Sequence, residues 1–103
     1  MLGDIGMPHE GNSIDFHGFE WDANKNAINA KKHGIDFADA LKVFSDPNVV
    51  VVDSKAMQQE TRWLAIGSVD RLLITVVFTL REERIRIISA RRSRISERRR
   101  YGN

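Results

Sequence analysis

A chain of 103 residues has room for a single hydrophobic core. With 42% hydrophobic and 29% charged residues it reads as a soluble globular domain, and the absence of cysteine excludes a disulfide scaffold and thiolate zinc ligands. The net charge of +2 hides a division: nine arginines against three glutamates leave residues 81–103 at +6, while seven basic against eleven acidic residues leave 1–80 at −4.

Residues 1–13 have no periodicity and three glycines, and read as a loose N-terminal extension to a domain over 14–103. "IDFHGFEW" (14–21) alternates apolar residues around Gly18 and predicts a short first strand, at an edge of a sheet. Asp22 is placed to cap a helix over 23–33, whose Ala23, Ala27 and Ala30 would form the face that sits on the sheet. Gly34 suits the left-handed residue after that helix, with Ile35 as its apolar contact. Asp36 is placed to cap a second helix over 37–44, with Phe37, Ala40, Leu41 and Phe44 as its stripe, ended by Asp46-Pro47.

Beyond Pro47 the apolar period changes to two. Strands are expected at 49–53, 61–69, 72–80 and 84–91, with a polar loop at 54–60 and tight turns at Asp70-Arg71 and 81–83. Ser93 or Ser96 would cap a last short helix through Tyr101. The order predicts an α+β two-layer domain: a first strand and two helices on one face of an antiparallel sheet, with the other face free for function.

The functional groups are unusual in what they lack. His9, His17 and His33 fall on three separate elements, and no carboxylates cluster, so neither a metal nor a cofactor is expected. The longest apolar run, "LLITVVF", is far short of the roughly 20 residues that cross a bilayer, and the start shows no signal-peptide pattern. A cytoplasmic protein is the expectation. Arginine, lysine, one histidine and one tyrosine remain. Such a set suits cleavage of RNA, where the ribose 2′-OH supplies the nucleophile and the protein supplies charge and proton transfer.

Strict alternation in the last strand would put Arg84, Arg86, Ile88, Ala90 and Arg92 on the open face, and Ile85, Ile87, Ser89 and Arg91 on the other. A kink near the end would bring either Arg91 or Arg92 to a site. Trp63 is expected in the core and the adjacent Arg62 at the surface. Simpler roles exist for each: Arg62 as a rim ion pair with Asp53 or Glu60, Lys31, Lys32 and His33 as dipole compensation, and Tyr101 as packing under the last helix.

"FEWDANKNAINAKKHGIDFADALKVFSDP", "RWLAIG", "LLITVVFT" and "RIRIISARR…ERRRY" occur in one order across residues 19–101. This series resembles the BrnT toxins, which carry F-E-W-D, K-H-G-[IV]-x-F, V-F-x-D-P, R-W-x-x-I-G and a similar arginine-rich ending. Ala23 departs from the proline common in the family. The resemblance implies a RelE-like fold and a ribonuclease toxin of a type II toxin–antitoxin pair. It implies a BrnA-type antitoxin, with two toxins on an antitoxin dimer, and operator DNA reached only through that partner. It implies a basic and aromatic site, here Lys32, His33, Arg62, Arg91, Arg92 and Tyr101, with Arg84, Arg86, Arg94, Arg98 and Arg99 holding the RNA. Two other readings stay open: a catalytically silent basic module that binds an antitoxin, and a regulator that contacts DNA itself.

Overall fold

The computed structural model describes residues 18–54 and 61–102. The expected N-terminal extension, the start of the first strand at 14–17 and most of the polar loop lie outside the described residues. The elements are β1 (Phe19–Glu20), α1 (Ala23–His33), α2 (Phe37–Ala40), a 3-10 helix (Leu41–Ser45), β2 (Val50–Ser54), β3 (Arg62–Val69), β4 (Leu72–Arg81), β5 (Arg84–Arg92) and α3 (Ile95–Gly102). The five strands form one sheet in the order β1-β5-β4-β3-β2, with β1 parallel to β5 and the other neighbours antiparallel.

Local sequence sets most boundaries. Asp22 caps α1 by accepting from the Asn24 amide at 2.8 Å, and Gly34 closes it in the left-handed region at φ 72°. Asp36 caps α2 by accepting from the Ala38 amide. The expected second helix changes character midway, turning from α to 3-10 after Ala40. The two hairpins turn on Asp70-Arg71 and Glu82-Glu83, all four at positive φ. Two consecutive left-handed residues make the turn whose twist matches paired strands.

The helical layer covers one face. Phe37, Ala40, Val43 and Phe44 pack on Ala65, Ile74, Val76, Phe78, Ile85, Ile87 and Ala90, and Phe44 meets the Phe78 ring edge-on at 5.4 Å. Gly67 permits this approach, because a Cβ there would lie 3.0 Å from both Val43 Cγ1 and the Val43 carbonyl. Phe19 joins the core against Phe44, and so anchors the two-residue β1.

α1 docks differently from expectation. Ala23 and Ala27 are exposed, and the inward residue is Asn29. β1 pairs with β5 through Phe19 and Glu20 alone, so the outer edge of β5 beyond Arg86 needs another partner. Asn29 supplies it. Its Nδ2 donates to the Ala90 carbonyl at 2.9 Å and its Oδ1 accepts from the Ala90 amide at 3.2 Å. The same Nδ2 donates to the Ile35 carbonyl at 3.0 Å. One side chain thus imitates a strand and blunts an open edge.

The faces of β5 also differ from simple alternation. Val77 pairs with Ser89 and Phe78 with Ile87, so Ile88 is an extra, bulged residue. Past the bulge the faces swap. Ala90 and Arg92 lie on the helix-covered side, opposite Val76 and Ile74, while Ser89 and Arg91 lie on the other side with Arg84 and Arg86.

Asn29→Ala leaves buried backbone groups without partners at roughly 1–3 kcal/mol each. A loss of about 2–4 kcal/mol is expected from urea unfolding on that basis, whereas Ala27→Ser on the exposed face should stay within about 0.5 kcal/mol. Equal losses would mean that α1 docks through its alanines after all.

Candidate functional site

The face away from α1 and α2 is organised in rows that cross the strands. One row holds Glu20 on β1, Arg86 on β5 and Thr79 on β4. It continues to Arg62, which precedes the Trp63–Phe78 pair and itself pairs with Ser54. A second row is apolar and half-buried: Ser89, Val77, Leu64 and Val52. A third holds Arg91, Thr75, Ile66 and Val50.

The third row is not free. Ile66 and Thr75 are fully buried, and α3 packs on this end of the face, against β3. Two carboxylates hold that helix down. Glu97 accepts from Arg91 Nη1 at 2.7 Å and Nη2 at 2.9 Å, from Thr75 Oγ1 at 3.0 Å and from the Arg94 amide at 2.7 Å. The last bond is half of a capping box, with Arg94 in the cap position. Neither serine fills the expected cap role: Ser93 shares a 2.7 Å bond with Thr75, and Ser96 lies inside the helix. Burial pushes the Glu97 carboxyl up, but the Arg91 fork and the other donors outweigh it and bring its pKa down to about 2.

Asp46 is the second fastening. Its Oδ2 accepts from Tyr101 Oη and from the Ser68 amide, each at 2.7 Å, and its Oδ1 accepts from the Asn48 amide at 2.9 Å. Burial raises this carboxyl too, yet the hydrogen bonds from Tyr101, Asn48 and Ser68 hold it below its ordinary value. Tyr101 responds in the opposite sense: its bond to Asp46, then burial, push the phenol above its usual range. A phenol in that setting donates well and gives up its proton poorly.

The residues expected from the sequence therefore separate into groups. Arg62, Arg84 and Arg86 share the open end of the face. Arg84 is exposed, while Arg86 is half-buried, with its Nη1 3.0 Å from Glu20 Oε2. Arg91 and Tyr101 are on the same face but engaged in fixing α3. Arg94, Arg98 and Arg99 are exposed on or beside α3. Arg92 is exposed on the opposite side of the sheet. Lys32, exposed, and His33, half-buried, sit in the last turn of α1, which docks beside β5. Glu20, Thr79 and Glu97 were not among the expected residues. Glu20 had a legible signal: with Phe19 and Trp21 packing inward, the residue between them must point the other way. Among the described residues no three histidines or carboxylates gather as metal ligands, and no helix is long and apolar enough to cross a membrane.

A carboxyl depressed from 4.5 to about 2 in the fold adds stability that is complete above pH 4.5 and lost as pH falls through about 2. Glu97→Gln is thus expected to be less stable than the parent at neutral pH. That gap should close as pH drops from 4.5 towards 2. Urea midpoints across this range check it, and a gap independent of pH would show that Glu97 holds α3 by packing alone.

No curated relative matches the chain. A sequence model described as "Ribonuclease toxin, BrnT, of type II toxin-antitoxin system" matches residues 21–97, which run from the entrance of α1 to Glu97 and include β2 to β5. Strands β2 to β5, the arginines of the rows and the α3 fastening at Glu97 fall within that match, and β1 with Glu20 lies just before it. The chain belongs to the BrnT family of ribonuclease toxins of type II toxin–antitoxin systems.

Proposed function

We propose that this protein, as a RelE-like toxin, cuts RNA without a metal ion, by attack of a ribose 2′-OH on the adjacent phosphate, on the open end of the sheet. The observation that carries the reading is the row Glu20–Arg86–Thr79–Arg62, with Arg84 beside it. Strands lie roughly 4.8 Å apart, so Arg62 and Arg86 flank Thr79 at about 10 Å between their backbones. Two long guanidinium arms from that spacing can close on one phosphate. Their planar forks match its oxygens. The neighbouring half-buried Leu64 and Val77 offer an apolar surface to a ribose or base.

In the reaction two negative charges accumulate on the phosphorane. Donors already in place for that charge lower the barrier, because they need no reorganisation. Arg62 and Arg86 have this role, and Arg84 stands at the edge. Arg94, Arg98, Arg99 and Arg100 surround the covered end as a basic rim, suited to backbone phosphates or to an acidic antitoxin segment. Arg91 and Tyr101 act at one remove, by keeping α3 where it leaves the open end uncovered. Lys32 and His33 are close enough in the fold to β5 to contact a strand of RNA leaving the row, and do not share the face that carries it.

The partner of such a toxin is an antitoxin, and we assign it to the BrnA type, with two toxins on an antitoxin dimer that alone reaches operator DNA. The cytoplasm, where RNA and antitoxin meet, is the place of action. Co-expression with a BrnA-type antitoxin is expected to give a complex of that composition; a toxin that elutes alone would remove the assignment.

Purified protein should cleave a short RNA equally with and without EDTA. Arg62→Ala should lower the single-turnover rate at saturating enzyme by roughly 10²–10³, with the circular dichroism unchanged. Arg99→Ala should leave that rate intact and weaken binding, with a salt slope shallower by about one phosphate contact. Cleavage abolished by EDTA, or a saturating rate lost with Arg99 and kept without Arg62, would refute the proposal.

A further inference from the structure

The row contains a carboxylate that neither the composition nor the basic pattern of the chain brought forward. We propose that Glu20 is the general base of the ribonuclease reaction, taking the proton of the attacking 2′-OH. This inference depends on the metal-free reading above and adds the group that reading leaves unnamed.

Position comes first. Glu20 pairs in register with Arg86, so both side chains leave the sheet on the open face. Its Oε2 accepts from Arg86 Nη1 at 3.0 Å. Its Oε1 stands 3.9 Å from Arg84 Nη1, beyond hydrogen-bond length, and the side chain is 27% exposed. One oxygen is therefore held and oriented, and the other is left to meet a substrate hydroxyl.

The other described carboxylates are placed elsewhere. Glu97 has four donors on it and Asp46 three. Asp22 and Asp36 cap helices, Asp39 lies in the first turn of α2, and Asp70, Glu82 and Glu83 occupy the turns. Asp53 pairs with Trp63, on the side of the sheet facing the helices. Among the described residues Glu20 is the carboxylate that shares a row with the phosphate-binding arginines.

The ion pair favours the chemistry. Among the described residues the charged groups facing Glu20 are Arg86 and Arg84, and they orient it on the open face. As the proton passes from the 2′-oxygen to Oε1, the 2′-oxygen bonds to phosphorus. Negative charge then leaves Glu20 and appears on the phosphorane oxygens. Arg86 touches both sites, so the charge moves along one cation instead of away from it. The bond from phosphorus to the 5′-oxygen breaks, that oxygen leaves with a proton from solvent water, and the products are a 2′,3′-cyclic phosphate and a 5′-hydroxyl. Water later returns the proton of Glu20 to solvent.

The bland alternative is a staple: Glu20 ties the two-residue β1 to β5 and does nothing else. Glu20→Gln separates the two, because the amide oxygen can still accept from Arg86 but cannot take a proton. The experiment is single-turnover cleavage of a short RNA at saturating enzyme across a pH series, with thermal unfolding measured beside it. General-base catalysis typically contributes roughly 10²–10⁴-fold, so Glu20→Gln is expected to lose that much of the rate. Its residual activity should lack the acid limb of the parent profile, and its RNA affinity should be kept. Glu20→Asp should recover part of the rate together with the limb. A folded Gln variant with the parent rate and profile would leave the ribonuclease reading standing and overturn the role of Glu20. A parent protein that cleaves no RNA would overturn both. Should the Gln variant fail to fold, the parent profile decides: without an acid limb, Glu20 is not the base.

Discussion

Between Val77 and Phe78 the pairing with β5 slips by one residue and leaves Ile88 without an opposite number. Residues 87 and 91 have the same parity, so without the slip Arg91 would point at the helical layer together with Ile85 and Ile87. With it, Arg84, Arg86, Ser89 and Arg91 stand on one face. The fastening of α3 depends on this. Glu97 can be buried because the Arg91 fork rises from the sheet beneath it, at 2.7 and 2.9 Å. Removing one partner of such a pair strands the other charge, at a cost of about 3–5 kcal/mol. A single inserted residue thus sets both which arginines are used up in the structure and which remain at the open end.

The same face carries two electrostatic regimes. At the covered end each carboxylate has its donor: Glu97 the Arg91 guanidinium, and Asp46 the Tyr101 phenol. At the open end one carboxylate, Glu20, stands 3.0 Å from Arg86 and 3.9 Å from Arg84. The apolar row of Val77, Leu64 and Val52 lies between them. Excess positive charge on a rigid sheet, bordered by apolar surface, concentrates field towards an incoming polyanion. The strands hold these arginines more firmly than loops would, and placement within a fraction of an ångström is what transition-state stabilisation needs.

Much of this was legible in the residues. The helix caps Asp22 and Asp36, the left-handed Gly34, the two hairpins and the change of period after Pro47 follow from local chemistry, and the structure has them. Trp63 packed against the core, with Arg62 on the opposite face, also follows from alternation, but Arg62 is half-buried there. Three features did not. A bulge leaves no mark in "RIRIISARR", since both registers alternate apolar and polar residues. The polar docking of α1 is invisible because Asn29 reads as an exposed helix residue until the missing partner of Ala90 is known. The role of Asp46 depends on contacts 22 and 55 residues away, and that of Glu97 on Thr75, 22 residues away, and on an Arg91 fork that faces it only because of the bulge.

The account is tested most directly by where RNA sits. A short RNA with a 2′-deoxy nucleotide at the scissile position lacks the nucleophile and will bind uncut. Titrated into isotope-labelled protein, it should shift the backbone and guanidinium signals of Glu20, Arg62, Thr79, Arg84 and Arg86, and leave those of Arg91 and Glu97 in place. Shifts confined to α1 around Lys32 and His33, or to Arg92 on the opposite side of the sheet, would contradict the central claim that the open end of this face is where the toxin holds its substrate.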